Sequence, residues 1–253
     1  MELREWTNLP DKMRTKEVRK YYNILVKRSA WFRAKRILDV IVASIMFAVL
    51  ALPMLIVAVL IKLDSPGPVF FRQERRTKDG KIFQMLKFRS MVVNAENMGA
   101  GLFNYQNDSR VTKVGRKLRD TSVDEFPQLF NILFGSMSVV GPRPCVKYEL
   151  GDFDTLNSKY KKRFQMKAGL TGLAQIKGRN DITWDDKVTY DNQYIDAFNK
   201  FGVLEDIKIL FLSVFKAFKS ENIYENKEDE SLNDEEAAKR AEEEIIRIAH
   251  MPD

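Results

Sequence analysis

From Val40 to Ile61 the chain runs for 22 residues in which only Ser44 and Pro53 are not plainly apolar. As one helix this run would be about 33 Å long, enough to cross the hydrocarbon core of a bilayer, and it constrains the fold more than any other stretch. A buried core helix fits less well at this length. A signal peptide fits poorly too: the apolar run is too long, its basic lead-in starts late, and no small-residue cleavage site follows. Pro53 removes a helix hydrogen bond and favours a kink. The halves Val40–Leu52 and Pro53–Ile61 would be roughly 20 Å and 14 Å long, each too short to span. Lys27, Arg28, Arg33, Lys35 and Arg36 precede the run, and Lys62, Arg72, Arg75, Arg76 and Lys78 follow it. The positive-inside rule therefore pulls both ends to one side. A helix that enters, turns near Pro53 and leaves by the same face satisfies all of this. A kinked but fully spanning helix is the alternative, since proline is tolerated in spanning helices. Charge symmetry favours the first.

Charge divides the rest of the chain. The net charge is +7, but residues 221–253 carry −8, which leaves +15 on residues 1–220. A body that basic wants anions such as phosphates, acidic lipid head groups or nucleic acid. No nucleic-acid recognition motif is present, so nucleic acid is the weakest of the three. Residues 1–36 hold 11 Lys and Arg against 4 acidic residues, with Trp6, Tyr21, Tyr22, Trp31 and Phe32 among them. That mix suits an amphipathic segment on an anionic membrane surface, and equally a positive flank that fixes topology. The sequence thus divides into a basic N-terminal segment (1–36), a membrane helix (37–63), a globular domain (64–220) and an acidic tail (221–253). In the tail, Ala237, Ala241, Ile245 and Ile248 form a narrow apolar stripe, and a largely solvated segment is expected.

Two scarcities limit the chemistry. Cys145 is the only cysteine, so neither an intrachain disulfide nor a multi-cysteine metal site can form. His250 is the only histidine and lies in the acidic tail, which effectively excludes histidine-based triads and multi-histidine zinc sites. Catalysis must run on carboxylates, Arg, Lys, Ser or Thr, or on a metal held by oxygen.

Ser65-Pro66-Gly67-Pro68 ends the membrane helix. Val69–Phe71 and Ile82–Leu86 flank the polar turn Thr77–Gly80, which predicts a short β-hairpin. Helical pieces are expected from Thr112 to about Phe134, then near Tyr160–Phe164, Trp184–Phe198 and Val203–Phe218. The fold class is therefore mainly α with a small hairpin, α+β.

No glycine-rich phosphate loop is present. What remains is the adjacent pair Asp124 and Glu125, bracketed by Arg116, Lys117, Arg119 and Arg143. Ser122-Val123-Asp124-Glu125 fits a capping box, in which Glu125 would do no more than reach back to the N-cap amide. Pro127 argues against that, since it would clash inside the helix; a later helix start would leave both carboxylates at the helix mouth. Either placement predicts that both stay ionised, through the helix dipole and the arginines. An ionised, partly desolvated Asp can attack phosphorus, magnesium takes carboxylate and phosphate oxygens, and arginines clamp phosphate.

Four stretches, in this order and spacing, resemble the bacterial sugar transferase family, the monotopic phosphoglycosyl transferases. They are Gly67-Pro68-Val69-Phe70-Phe71-Arg72-Gln73; Lys87-Phe88-Arg89-Ser90-Met91; Asp124-Glu125-Phe126-Pro127-Gln128-Leu129 through Asn131 to Met137–Pro144; and Gly169–Gln175 with Gly178-Arg179. The resemblance covers about Arg36 to Phe218. It implies a re-entrant helix kinked at Pro53, with the catalytic domain on the cytoplasmic face of the bacterial inner membrane. It also implies Mg2+, a UDP-sugar donor and a polyprenyl (undecaprenyl) phosphate acceptor, in the first membrane step of surface glycan synthesis. Asp124 would be the nucleophile and Glu125 the metal ligand beside it. Arg119 and Arg143 would hold phosphates, with Lys87 and Arg89 as further phosphate contacts and Gln175 and Arg179 in the nucleotide site. Homo-oligomers are compatible with the resemblance. The multi-helix membrane region that precedes this domain in some relatives is missing, so a short form is expected. Leu52-Pro53 stands where the family often has Ser-Pro, Arg76-Thr77 where it often has Val-Gly, and Ala168-Gly169 where it often has Pro-Gly. A one-step transfer without a covalent intermediate is the nearest enzymatic rival, and a membrane-anchored scaffold the non-enzymatic one.

Overall fold

The structure, a computed structural model, describes residues 5–98, 108–178, 182–219, 239, 243 and 246–248. It is mostly helical with two small two-stranded sheets, in keeping with the α+β expectation. Helix α1 (Lys16–Lys27) starts at Thr15, whose hydroxyl accepts from the Val18 amide. Val18 and Leu25 on this helix are buried. The N-terminal segment, expected along a membrane surface, thus turns this apolar face onto the globular body and leaves Ile24 and Val26 exposed.

Helix α2 (Ser29–Asp64) is 36 residues long, about 54 Å, and runs unbroken through Pro53. The expected boundary at residue 36 falls inside it. Among the described residues it is the helix long and apolar enough to cross a membrane. One side packs on the body through Phe32, Lys35, Asp39, Ala43, Met54 and Ile61. The other exposes Ile37, Ile41, Ile45, Val49, Leu52, Leu55, Val59 and Leu63, a continuous apolar stripe of the kind that marks a membrane or partner surface.

Strands β1 (Phe70–Arg76) and β2 (Ile82–Phe88) form the antiparallel hairpin, in register from Phe70↔Phe88 to Arg76↔Ile82. Both are longer than the sequence predicted. Helices α3 (Lys113–Asp120) and α4 (Gln128–Leu133) follow. The parallel pair β3 (Ser138–Val140) and β4 (Gly169–Thr171) was not legible in the sequence, because three-residue strands carry too little periodicity. The two approach so closely that a Cβ on Gly169 would sit 2.1 Å from the Gly141 nitrogen. Helices α5 (Ser158–Lys162), α6 (Leu173–Lys177), α7 (Trp184–Phe201) and α8 (Val203–Lys219) complete the domain. Helix α8 exposes Leu204, Ile207, Phe211, Val214 and Phe215 at helical spacing.

The main core joins α2 to the domain through Phe32 and Ala43, packed with Leu129, Ile132, Val139, Tyr194, Phe198 and Ile209. Buried polar ties fix the angle. The Lys35 ammonium, 1% exposed, donates to Asp206 at 2.7 Å and to the Val140 carbonyl at 2.8 Å. Asp39 accepts from Ser138 Oγ and the Val139 amide, both at 2.8 Å. Arg36 donates to the Ile132 and Leu133 carbonyls at the end of α4. Lys35 and Arg36, read from the sequence as topology-setting cations, are thus spent on the domain itself. Farther along α2, Met54 and Ile61 pack with Phe88 and Leu118, and Asp64 accepts from the Val114 amide. The acidic tail is not wholly solvated: Ile248 is buried with Leu9, Met13, Trp184 and Val188, and Arg247 donates to Asp185 at 2.7 Å.

Candidate active site

Asp124 and Glu125 lie in a single 3-10 turn, Val123–Glu125, between α3 and α4. Ser122 has a left-handed backbone (φ 56°) and its side chain makes no capping bond, so the capping-box reading fails. Helix α4 begins three residues later, with Pro127 at its N-cap position, where the missing N–H costs nothing. Both carboxylates are therefore free of helix duty.

Lys87 comes to them from β2. Asn131 on α4 fixes that approach: its side chain accepts from the Leu86 amide at 2.9 Å and donates to the Gln84 carbonyl at 2.8 Å, locking helix to strand edge. The Lys87 ammonium then lies 2.9 Å from Glu125 Oε1 and 3.7 Å from Asp124 Oδ2. Arg143 reaches the same Glu125 oxygen at 3.3 Å. Its turn is held from below, because Arg163 donates to the Arg143 carbonyl at 2.6 Å and pairs with Asp191 at 2.8 Å, both buried. Lys87-Phe88-Arg89, which by itself reads as a strand bearing solvated cations, thus carries no solvated cation.

The two carboxylates, expected from the sequence to stay ionised, are shifted in opposite directions. Burial alone would raise Glu125, but Lys87 and Arg143 hold it down, to about 2. Asp124 is only 8% exposed, and burial pushes its carboxyl above the usual range. Lys87 opposes that push and the neighbouring Glu125 charge adds to it; Arg119 and Arg143 also pull it down. The short cation contacts go to Glu125, which leaves Asp124 the more basic of the two carboxylates.

The four remaining candidate site residues, Arg119, Arg89, Gln175 and Arg179, each stand differently. Arg119, half-buried in the last turn of α3, acts on Asp124 through its charge. Arg89 does not face the carboxylates. It is buried and donates to the Ser65 and Pro66 carbonyls, each at 2.7 Å, and to Ser65 Oγ, closing the C-terminal end of α2. Arg89, expected as a phosphate contact, is thus engaged with the turn that follows α2. Gln175 is buried, and its amide oxygen and nitrogen have no partner among the described residues. Arg179 lies outside the described residues.

A shallow open cleft adjoins Glu125, lined by Arg75, Met85, Glu125, Gln128, Arg143, Pro144 and Gly169. Arg75, read from the sequence only as a flanking charge, and Gln128 are its unanticipated members. Period-two alternation along β1 puts Arg75 on the same face as Gln73, a signal that could have found it. No group of three or more metal-binding His, Cys, Asp or Glu side chains gathers among the described residues. Two hard carboxylates, one held fully ionised, still fit magnesium, which commonly takes one or two carboxylates and completes its shell with water and substrate phosphate.

A family profile described as bacterial sugar transferase matches residues 30–220. A UDP-glucose:undecaprenyl-phosphate glucose-1-phosphate transferase of Klebsiella pneumoniae is 43% identical over 195 residues, 75% of this chain and 41% of that protein. An undecaprenyl-phosphate galactose phosphotransferase of Salmonella typhimurium is 38% identical over 216 residues, 80% of this chain and 44% of that protein. The exopolysaccharide production protein ExoY of Rhizobium meliloti is 37% identical over 195 residues, 72% of this chain and 84% of that protein. The chain thus spans less than half the length of the first two and most of the third.

Proposed function

Since the chain belongs to the bacterial sugar transferase family, we propose that it moves a sugar 1-phosphate from a UDP-sugar to polyprenyl phosphate, releasing UMP. The observation that carries this is the buried Asp124 beside an ionised Glu125, within reach of Lys87 and next to a cleft bearing arginine. An Asp124 carboxylate oxygen attacks the β-phosphorus of the donor, the bond to the bridging oxygen breaks, and UMP leaves. A phosphate oxygen of the lipid carrier then attacks the same phosphorus, and Asp124 departs as a carboxylate. Arg143 and Arg119 neutralise charge on the non-bridging oxygens, and Lys87 keeps Asp124 ionised despite its burial. Asp124 and Glu125 would hold Mg2+, which when bound neutralises charge on the phosphates. UDP-glucose and UDP-galactose head the donors to try, because relatives are named for glucose and galactose transfer.

The same reading puts α2 in the bacterial inner membrane without crossing it, and the domain on the cytoplasmic face. Support comes from the packing of α2. Lys35 and Asp39 near one end, and Met54, Ile61 and Asp64 near the other, all contact a single globular body. A spanning helix would carry those ends to opposite sides of the hydrocarbon layer. The exposed apolar face of α8 is suited to the same surface, beside anionic lipids. A cysteine placed beside Asp64 that reacted only with a periplasmic label would overturn the topology.

The function is tested by UMP release from a panel of UDP-sugars with magnesium and undecaprenyl phosphate, in reconstituted membranes. Wild type should release UMP from one or more donors, and Asp124→Asn should lose at least a thousandfold. Full activity in Asp124→Asn would refute the nucleophile.

A further inference from the structure

The arginine that the sequence offered only as a flanking charge is the most under-compensated cation of the cleft. Arg75 is largely buried, 17% exposed at its side chain. Its Nε and Nη2 donate to Gln73 Oε1, at 2.9 and 2.6 Å, and its Nη1 donates to the Pro144 carbonyl at 3.0 Å. These bonds use three of the five N–H donors of a guanidinium and engage only neutral oxygens. The nearest carboxylate, Glu149, stands 3.8 Å from Nη1, beyond hydrogen-bond distance. Glu149 accepts instead from the Val146 amide at 2.7 Å. Arg75 therefore keeps its charge in a low-dielectric wall, next to a second guanidinium that is already paired with Glu125. Buried cations are normally matched by a hydrogen-bonded anion, and this one has only the looser 3.8 Å ion pair with Glu149.

We infer that Arg75 is a donor-binding residue: with Arg143 it forms a two-arginine clamp for the diphosphate of the nucleotide-sugar. This rests on the transferase reading, which it deepens. The direction of the Arg75 titration agrees, since burial and the neighbouring Arg143 lower its affinity for the proton, a penalty that a bound anion would relieve. Position agrees too. Arg75 donates to Pro144, the residue after Arg143, so both guanidiniums issue from one rigid seam where β1 meets the turn. Gln73 holds the Arg75 fork from the opposite side, which fixes its plane for bidentate recognition.

The test uses the full chain in lipid nanodiscs with its catalytic carboxylates intact, and UDP and Mg2+ as the probe, since UDP carries no sugar phosphate to transfer. Arg75→Gln should weaken UDP at least tenfold, and Arg75→Lys should retain part of that affinity. Glu149→Gln removes the carboxylate paired with Arg75 at 3.8 Å while keeping an acceptor for Val146, and should tighten UDP about two- to threefold. A structural role would not produce that gain. If Arg75→Gln lowers the melting temperature but leaves the UDP affinity within twofold, the inference is wrong. If Arg75→Gln does not fold, Glu149→Gln decides, and unchanged affinity there overturns the clamp. Wild type that binds UDP in this way yet releases no UMP from any UDP-sugar would count against the transferase reading and leave the clamp standing.

Discussion

Lys87 is where the electrostatics of the site can be tested most directly. Its ammonium sits 3.7 Å from Asp124 Oδ2 in a largely buried setting, with side-chain exposures of 18% and 12%. At an effective dielectric of about 20 the attraction is about 4.5 kcal/mol, and in bulk water about 1 kcal/mol. Removing the charge should therefore favour protonated Asp124 by about 1 to 4.5 kcal/mol and raise its pKa further. The sign follows from the need for a carboxylate nucleophile. Asp124 already titrates above the ordinary range, so activity is present above its folded pKa and is lost as pH falls through it. In Lys87→Met that acidic limb should move to higher pH, and activity at neutral pH should fall. Glu125→Gln removes the neighbouring negative charge and should move the limb the opposite way, whatever it does to the maximal rate. The assay is the pH dependence of kcat/KM for UMP release in reconstituted membranes. An unmoved limb in folded Lys87→Met would refute the claim that Lys87 sets the ionisation of Asp124.

Three stability predictions follow from buried contacts. Asp191→Asn leaves the buried Arg163 without its counter-charge and should cost about 3–5 kcal/mol by denaturant unfolding. Turnover should fall as well, because Arg163 supports the Arg143 turn. Lys35→Met strands Asp206 and should cost a similar 3–5 kcal/mol, whereas the double variant Lys35→Met/Asp206→Leu should recover most of it; a fully additive pair would refute the coupling. Gly169→Ala places a methyl against the Gly141 backbone and should cost about 1–3 kcal/mol, with a drop in UMP release as the Arg143 turn is displaced.

Much of this protein was written in short-range patterns. The apolar run, the hairpin and the helices at 184–201 and 203–219 follow from periodicity and punctuation, which act over one or two turns of chain. The absence of usable histidine and cysteine narrowed the chemistry to oxygen and nitrogen groups, and the ordered motifs singled out Asp124, Glu125 and Arg143. Other features were decided only by the tertiary fold. Ser122-Val123-Asp124-Glu125 reads equally well as a cap or as a site, and only the left-handed Ser122 and the arrival of Lys87 from β2 separate the two. The opposite titration of two adjacent carboxylates is a matter of distances to cations that come from 18 to 38 residues away. Arg75 in β1 and Arg89 just past β2 look alike in sequence, yet Arg89 closes the end of α2 while Arg75 lines the cleft. Composition and periodicity report what each residue is and which face it takes. Electrostatic environment depends on which residues meet across the fold, and in this chain the Asn131 tie between α4 and β2 and the Arg163 support of the Arg143 turn bring them together.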